Sequence, residues 1–127
     1  MIIDREKLTQ FATEIFLGVD TPIDKARETA EHLVEANLKG HDSHGVGMIP
    51  RYVSAAKNGF LDVHANAELV KDKGAVLLVD GHQGFGQVVG RQATDMGLER
   101  VKDTGIACIG SRNNHHLGRI GTYAERC

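Results

Sequence analysis

Seven histidines stand in the 127-residue sequence, and His41, His44, His82 and the pair His115-His116 all lie on glycine-containing stretches. Imidazole is the side chain that gives and takes a proton near neutral pH, and loops carry chemistry that a packed scaffold only positions. In Asp42-Ser43-His44-Gly45, His44 precedes a predicted helix and is placed to move a proton at a substrate oxygen. A competing reading has Asp42 or Ser43 cap that helix, with His44 an exposed turn residue. Adjacent side chains diverge, so Ser43 beside His44 does not by itself make a hydrolase pair, and no G-x-S-x-G elbow occurs.

The second stretch is Asn113-Asn114-His115-His116-Leu117-Gly118, at the end of a predicted strand and ahead of a helix, where open α/β sheets bind ligands. No H-E-x-x-H or cysteine pair supports a metal there, so none is expected. The third is GFGQVVG, with Gly84, Gly86 and Gly90 spaced G-x-G-x-x-x-G after an apolar strand. It approaches the dinucleotide fingerprint, and Ser111-Arg112 would then sit where a 2′-phosphate is read. The spacing is one residue too long, and Gly81-His82-Gln83 separate the strand from the first glycine. Two readings therefore stand: an NADP-binding Rossmann half-domain, or glycines serving a turn and tight helix packing. His32 and His64 read as structural or solvated, and Cys108, among apolar neighbours, as a buried thiol.

These stretches need elements to hold them. Leu8, Phe11, Ala12, Ile15, Phe16 and Val19 form one helical stripe over 5–18, stopped by Gly18. Thr21-Pro22-Ile23-Asp24 reads as an N-cap, a proline at the first helical position and an early acid, opening a helix to Lys39 that buries Ile23, Ala26, Ala30, Leu33, Val34 and Leu38. A third helix follows up to Gly59, irregular in its first turn around Pro50. Then ELVKD and AVLLVD form a hairpin turning at Lys73-Gly74, its second strand apolar on both faces. A helix follows the glycine loop with Val88, Val89, Gln92, Ala93, Met96 and Val101 on its inner face, and Gly90 and Gly97 imply close packing of its backbone. The short strand IACIG reads as buried, and GRIGTYAERC as opening turns of a last helix without a C-terminal stop. Helices first and then strands alternating with helices make an α/β chain.

Composition narrows the function. Fifteen basic against seventeen acidic residues give a net charge of −2, and no Lys/Arg run exceeds a pair, which argues against a nucleic-acid partner. Two cysteines make no disulfide framework, MIIDREKL is charged where a signal peptide is apolar, and no stretch reaches the ~20 apolar residues of a membrane span. A cytoplasmic location without membrane partners is expected.

Taken together, GHDSHGVGMIPRYV at 40–53, VDGHQGFGQVVG at 79–90 and RNNHHLGRIGTYAE at 112–125 resemble the type-2 malate/L-lactate dehydrogenase family, most closely its hydroxycarboxylate dehydrogenase B group. The resemblance runs in order over essentially the whole sequence. It implies a non-Rossmann α/β fold: an N-terminal helical segment, 1–60, leading into a mixed β-sheet layered with helices that begins at 61–127 and is incomplete as given. It also implies an NAD- or NADP-dependent oxidoreductase acting on a small 2-hydroxy or 2-oxo acid, a homodimer at full length, with this chain its N-terminal portion. By resemblance His44 is the acid/base at the substrate oxygen and Ser43 joins its hydrogen-bond relay, whose aspartate lies beyond these residues. His116 is the second catalytic histidine, contacting substrate and nicotinamide and in some members taking the proton-acceptor role, with Leu117, Gly118, Arg119 and Ile120 continuing the cofactor loop, and Tyr52 lines the substrate pocket. Leu117 replaces a common phenylalanine. Met48 replaces an arginine suited to a carboxylate, which implies a bulkier or more apolar substrate. The rival from another class is a non-catalytic binding or regulatory module.

Overall fold

A computed structural model describes residues 2–127. Helix α1 spans Arg5–Leu17, its first turn closed by the Asp4 carboxylate, which accepts the Lys7 amide proton at 3.0 Å. Helix α2 spans Ile23–Leu38 and ends where Gly40 takes a φ of +75°. Its start differs from the expected cap: Pro22 occupies the cap position, and the Thr21 hydroxyl is buried with no partner. The expected apolar faces are too wide at their margins, since Phe11, Ile23 and Leu38 are exposed. Two helices packed along each other need only a narrow stripe, and Ala12, Ala26 and Ala30 let them approach closely.

Between α2 and α3 the chain makes two 3₁₀ turns, Asp42–His44 and Val46–Met48, before α3 at Ile49–Lys57. The irregularity expected around Pro50 thus lies just ahead of the helix. Strand β1, Glu68–Lys73, pairs antiparallel with β2, Val76–Asp80, and β2 pairs parallel with β3, Cys108–Arg112, in the order β1-β2-β3. The turn falls at Gly74-Ala75, one residue later than expected, because Lys73 still pairs with Val76. Helix α4, Gly86–Thr104, is the crossover from β2 to β3, and a short α5, Gly121–Arg126, follows.

β3 is not the buried strand its apolar run implied, and Cys108 is exposed. It lies at the sheet edge, with no strand on its outer side among the described residues. Val101, near the end of α4, is likewise exposed, whereas Gln87 in its first turn is buried. The glycines of α4 do pack closely: a Cβ on Gly90 would overlap the Tyr123 ring, and one on Gly97 would overlap Ile109. The core gathers Phe16, Leu33, Tyr52, Phe85 and Val88, with Phe85 edge-on to Phe16 at 5.5 Å. Lys25 is buried on α2 and donates to the carbonyls of His64 and Ala65 and to Asn66 Oδ1 at 2.6–2.9 Å, fastening the link between α3 and β1.

Candidate active site

The loop bearing His44 is fixed from α2. Asn37 donates to the Asp42 carboxylate at 2.6 Å and accepts the Val46 amide proton at 2.8 Å, so one side chain clamps both flanks of the Ser-His-Gly turn. The 3₁₀ winding also overturns the expected divergence of neighbours, for Ser43 Oγ lies 2.9 Å from His44 Nδ1.

The loop bearing His116 leaves β3 and is tied at several points. Asp80, at the end of β2, accepts from Arg112 at 2.8 Å and Asn113 at 2.9 Å and receives the His82 amide proton at 3.0 Å. These hydrogen bonds, that of His82 first, hold its carboxyl below the usual range. The Gln83 and His115 amides donate across to Asn113 O and Gly84 O. Gly86 then presses against the loop, since a Cβ there would overlap the backbone carbonyl of His116. The space above the GFG glycines is thus filled by protein, and the strand before them pairs in a hairpin. Both facts exclude the Rossmann half-domain reading. Farther on, Gly118 takes a φ of +72° with His32 against it, the Arg119 amide donates to His32 Nε2 at 3.0 Å, and the Tyr123 hydroxyl donates to Leu117 O at 2.5 Å.

The two loops meet. The imidazoles of His44 and His116 stack with centroids 5.3 Å apart and planes 28° from parallel. Below them the Tyr52 hydroxyl lies 2.6 Å from His116 Nδ1 and accepts a proton from Gln87 Nε2 at 2.7 Å. His115 sets its ring edge-on to Tyr52 at 5.3 Å. Burial lowers the pKa of His116, helped by the positive charges of His44 and Arg51. His115 shifts the same way, again mainly through burial, and burial pushes the Tyr52 phenol up to about 12. The result is a partly buried group of imidazoles, with two rings face to face and a phenol holding the inner nitrogen of one. Such a group can bind a polar oxygen and pass a proton to or from it.

Ser43, His44, Tyr52 and His116 therefore come together. Met48 lies half-buried against the core cluster. Of the remaining loop residues, Gly118 is buried, Ile120 is exposed, and Arg119 is engaged by Glu125 at 2.6 Å. Gln87, Asn37, His32 and Tyr123 were not legible as site residues. Each acts through a partner 5 to 87 positions away in sequence.

The sequence profile described as malate/L-lactate dehydrogenase matches residues 3–127. Hydroxycarboxylate dehydrogenase B of Escherichia coli K12 is 42% identical over 124 residues, covering 98% of this chain and 34% of that protein. L-sulfolactate dehydrogenase of Methanocaldococcus jannaschii is 34% identical over 125 residues, covering 98% and 36% respectively. The structure of malate dehydrogenase from Pyrococcus horikoshii OT3 superimposes with a TM-score of 0.94 at 32% identity, over 99% of this chain and 36% of that one. The chain thus spans about a third of the length of the curated relatives it matches. A profile match over 125 positions, joined to the same arrangement of helices and small mixed sheet, places the chain in the malate/L-lactate dehydrogenase family.

Proposed function

We propose that this chain supplies the proton-handling side of the active site of a nicotinamide-dependent dehydrogenase acting on 2-hydroxy and 2-oxo carboxylic acids. The observation that carries this reading is the stacked pair His44 and His116, anchored from below by Tyr52. Relatives named as malate, lactate and sulfolactate dehydrogenases support it.

The residues fit the reacting end of such a cofactor. A nicotinamide ring needs an apolar neighbour and uncharged hydrogen-bonding groups. The exposed Ile120 side chain and the His116 imidazole, biased toward its neutral form, offer both on one loop. NAD and NADP both carry that ring. His116 to Ile120 would hold the group, which when bound supplies hydride transfer at the substrate carbon.

The protein's own part is the proton. His44, with Nδ1 against Ser43, takes the hydroxyl proton during oxidation and returns it during reduction. His116 binds the same oxygen from the adjacent ring, held in place by Tyr52. Met48 offers an apolar side chain rather than a cation beside the Ser-His-Gly turn, which favours a bulkier or more apolar acid.

The test is turnover by the intact protein with oxaloacetate, pyruvate and phenylpyruvate, following consumption of NADH and of NADPH. His44→Gln should lower kcat by roughly 10²–10⁴-fold, the usual scale for a general acid/base, with cofactor affinity nearly unchanged. Unaltered turnover in that variant would remove His44 from the reaction.

A further inference from the structure

Tyr52 is 1% exposed, and its hydroxyl has two hydrogen-bond neighbours, Gln87 Nε2 at 2.7 Å and His116 Nδ1 at 2.6 Å. A phenol has one proton to give, whereas an amide NH₂ can only donate and an amide oxygen only accept. With the NH₂ end of Gln87 on the phenol oxygen, the phenol proton goes to His116 Nδ1. A neutral His116 ring then carries its own proton on Nε2. With the amide reversed, Gln87 Oε1 would take the phenol proton, the phenol oxygen would accept from Nδ1–H, and Nε2 would be left as a bare lone pair.

We propose that Gln87 is a positioning residue that sets the tautomer of His116 through the Tyr52 hydroxyl, making the outer ring nitrogen a proton donor. Two further observations support it. Gln87 is itself 1% exposed, and its Oε1 is buried without a partner. The amide is thus shut away from bulk water, and its hydrogen bond is to the Tyr52 hydroxyl, so the two side chains are coupled directly. Gly118 lies beside both the Gln87 amide and His32 Nε2, and that nitrogen already accepts from the Arg119 amide, so it does not draw the Gln87 N–H away from Tyr52. Burial favours the neutral ring in which a tautomer exists to be set.

With Nε2–H outward, His116 donates a hydrogen bond to the substrate oxygen and leaves proton acceptance to His44. That consequence rests on the dehydrogenase reading; the tautomer does not.

The experiment is two-bond ¹H–¹⁵N NMR of the histidine rings in the intact protein, with His116 assigned by His116→Gln, at a pH where the ring is neutral. The wild type should show Nε2 protonated and Nδ1 bare. Gln87→Glu presents only acceptors once its carboxyl is ionised, so it is read at a pH above the raised pKa of that buried group, where it should move His116 to the Nδ1-protonated form. In a Tyr52→Phe background the same substitution should leave the tautomer where Tyr52→Phe alone puts it. Nδ1 protonation in the wild type would overturn the proposal whether or not any variant folds, as would an unchanged tautomer in a folded Gln87→Glu. Turnover is read separately and should fall by roughly 10–100-fold in Gln87→Glu, the scale found for groups that orient a functional imidazole. A tautomer that switches in a protein that turns over no 2-oxo acid would sustain this inference and remove the dehydrogenase reading.

Discussion

His32 is the most strongly shifted imidazole, brought from 6.5 to about 4 chiefly by burial, with its Nε2 committed to the Arg119 amide. Its folded pKa lies below the unfolded one, so its contribution to stability is full above pH 6.5. It is lost as pH falls toward 4, because the unfolded chain takes up a proton that the folded chain refuses. His115 and His116 shift in the same direction. Between pH 6.5 and 5, His32 alone should remove about 2 kcal/mol of unfolding free energy, measurable by urea denaturation across that range. His32→Gln should flatten the dependence by that amount, and an unchanged slope would show that His32 does not titrate as a buried group. At this scale the glycine-containing loops marked five histidines without choosing among them, and it was the family resemblance that singled out His44 and His116, whose rings the structure stacks together. Gln87 and His32 were not legible, because a polar residue on a helix face gives no sign in sequence of whether the fold will bury it.

Among the elements, helix positions followed from apolar spacing, while the edges of the buried faces did not. Phe11, Ile23 and Leu38 fit the helical period, yet lie outside the narrow strip that two alanine-lined helices share. The exposure of β3 escaped for a related reason, since an apolar run shows that a strand forms but not what lies over it. The glycine pattern gave correct positions and two meanings, between which only the tertiary contact decides. Gly86→Ala should destabilise the protein by about 1–3 kcal/mol, the range for overpacking, because the Cβ meets backbone that cannot rotate away. Turnover should fall with it as the His116 loop is displaced. Gly47→Ala is the contrast: nothing lies within 4 Å of an added Cβ, and the change should be neutral or stabilising by up to about 1 kcal/mol. Denaturant melts of the two variants check both, and equal stabilities would show that the α4 terminus does not pack as described.

Over the whole molecule, the site arises because the N-terminal helices share one core with the start of α4, the crossover helix of the small mixed sheet. Phe16 and Tyr52 meet Phe85 and Val88, and the shared packing brings the 42–45 and 113–120 loops together across some seventy residues of sequence. Three separated motifs signalled the family, but not how their side chains meet. Among the described residues no helix is long and apolar enough to cross a membrane. The central claim is that His44 and His116 form one proton-handling unit, and a double-mutant cycle tests it most directly. Steady-state kcat would be measured for the intact protein, His44→Gln, His116→Gln and the double variant. Residues acting as a unit are strongly non-additive, so the double variant should be scarcely slower than the worse single one. Losses that simply multiply, or a His116→Gln variant as fast as the wild type, would contradict the account.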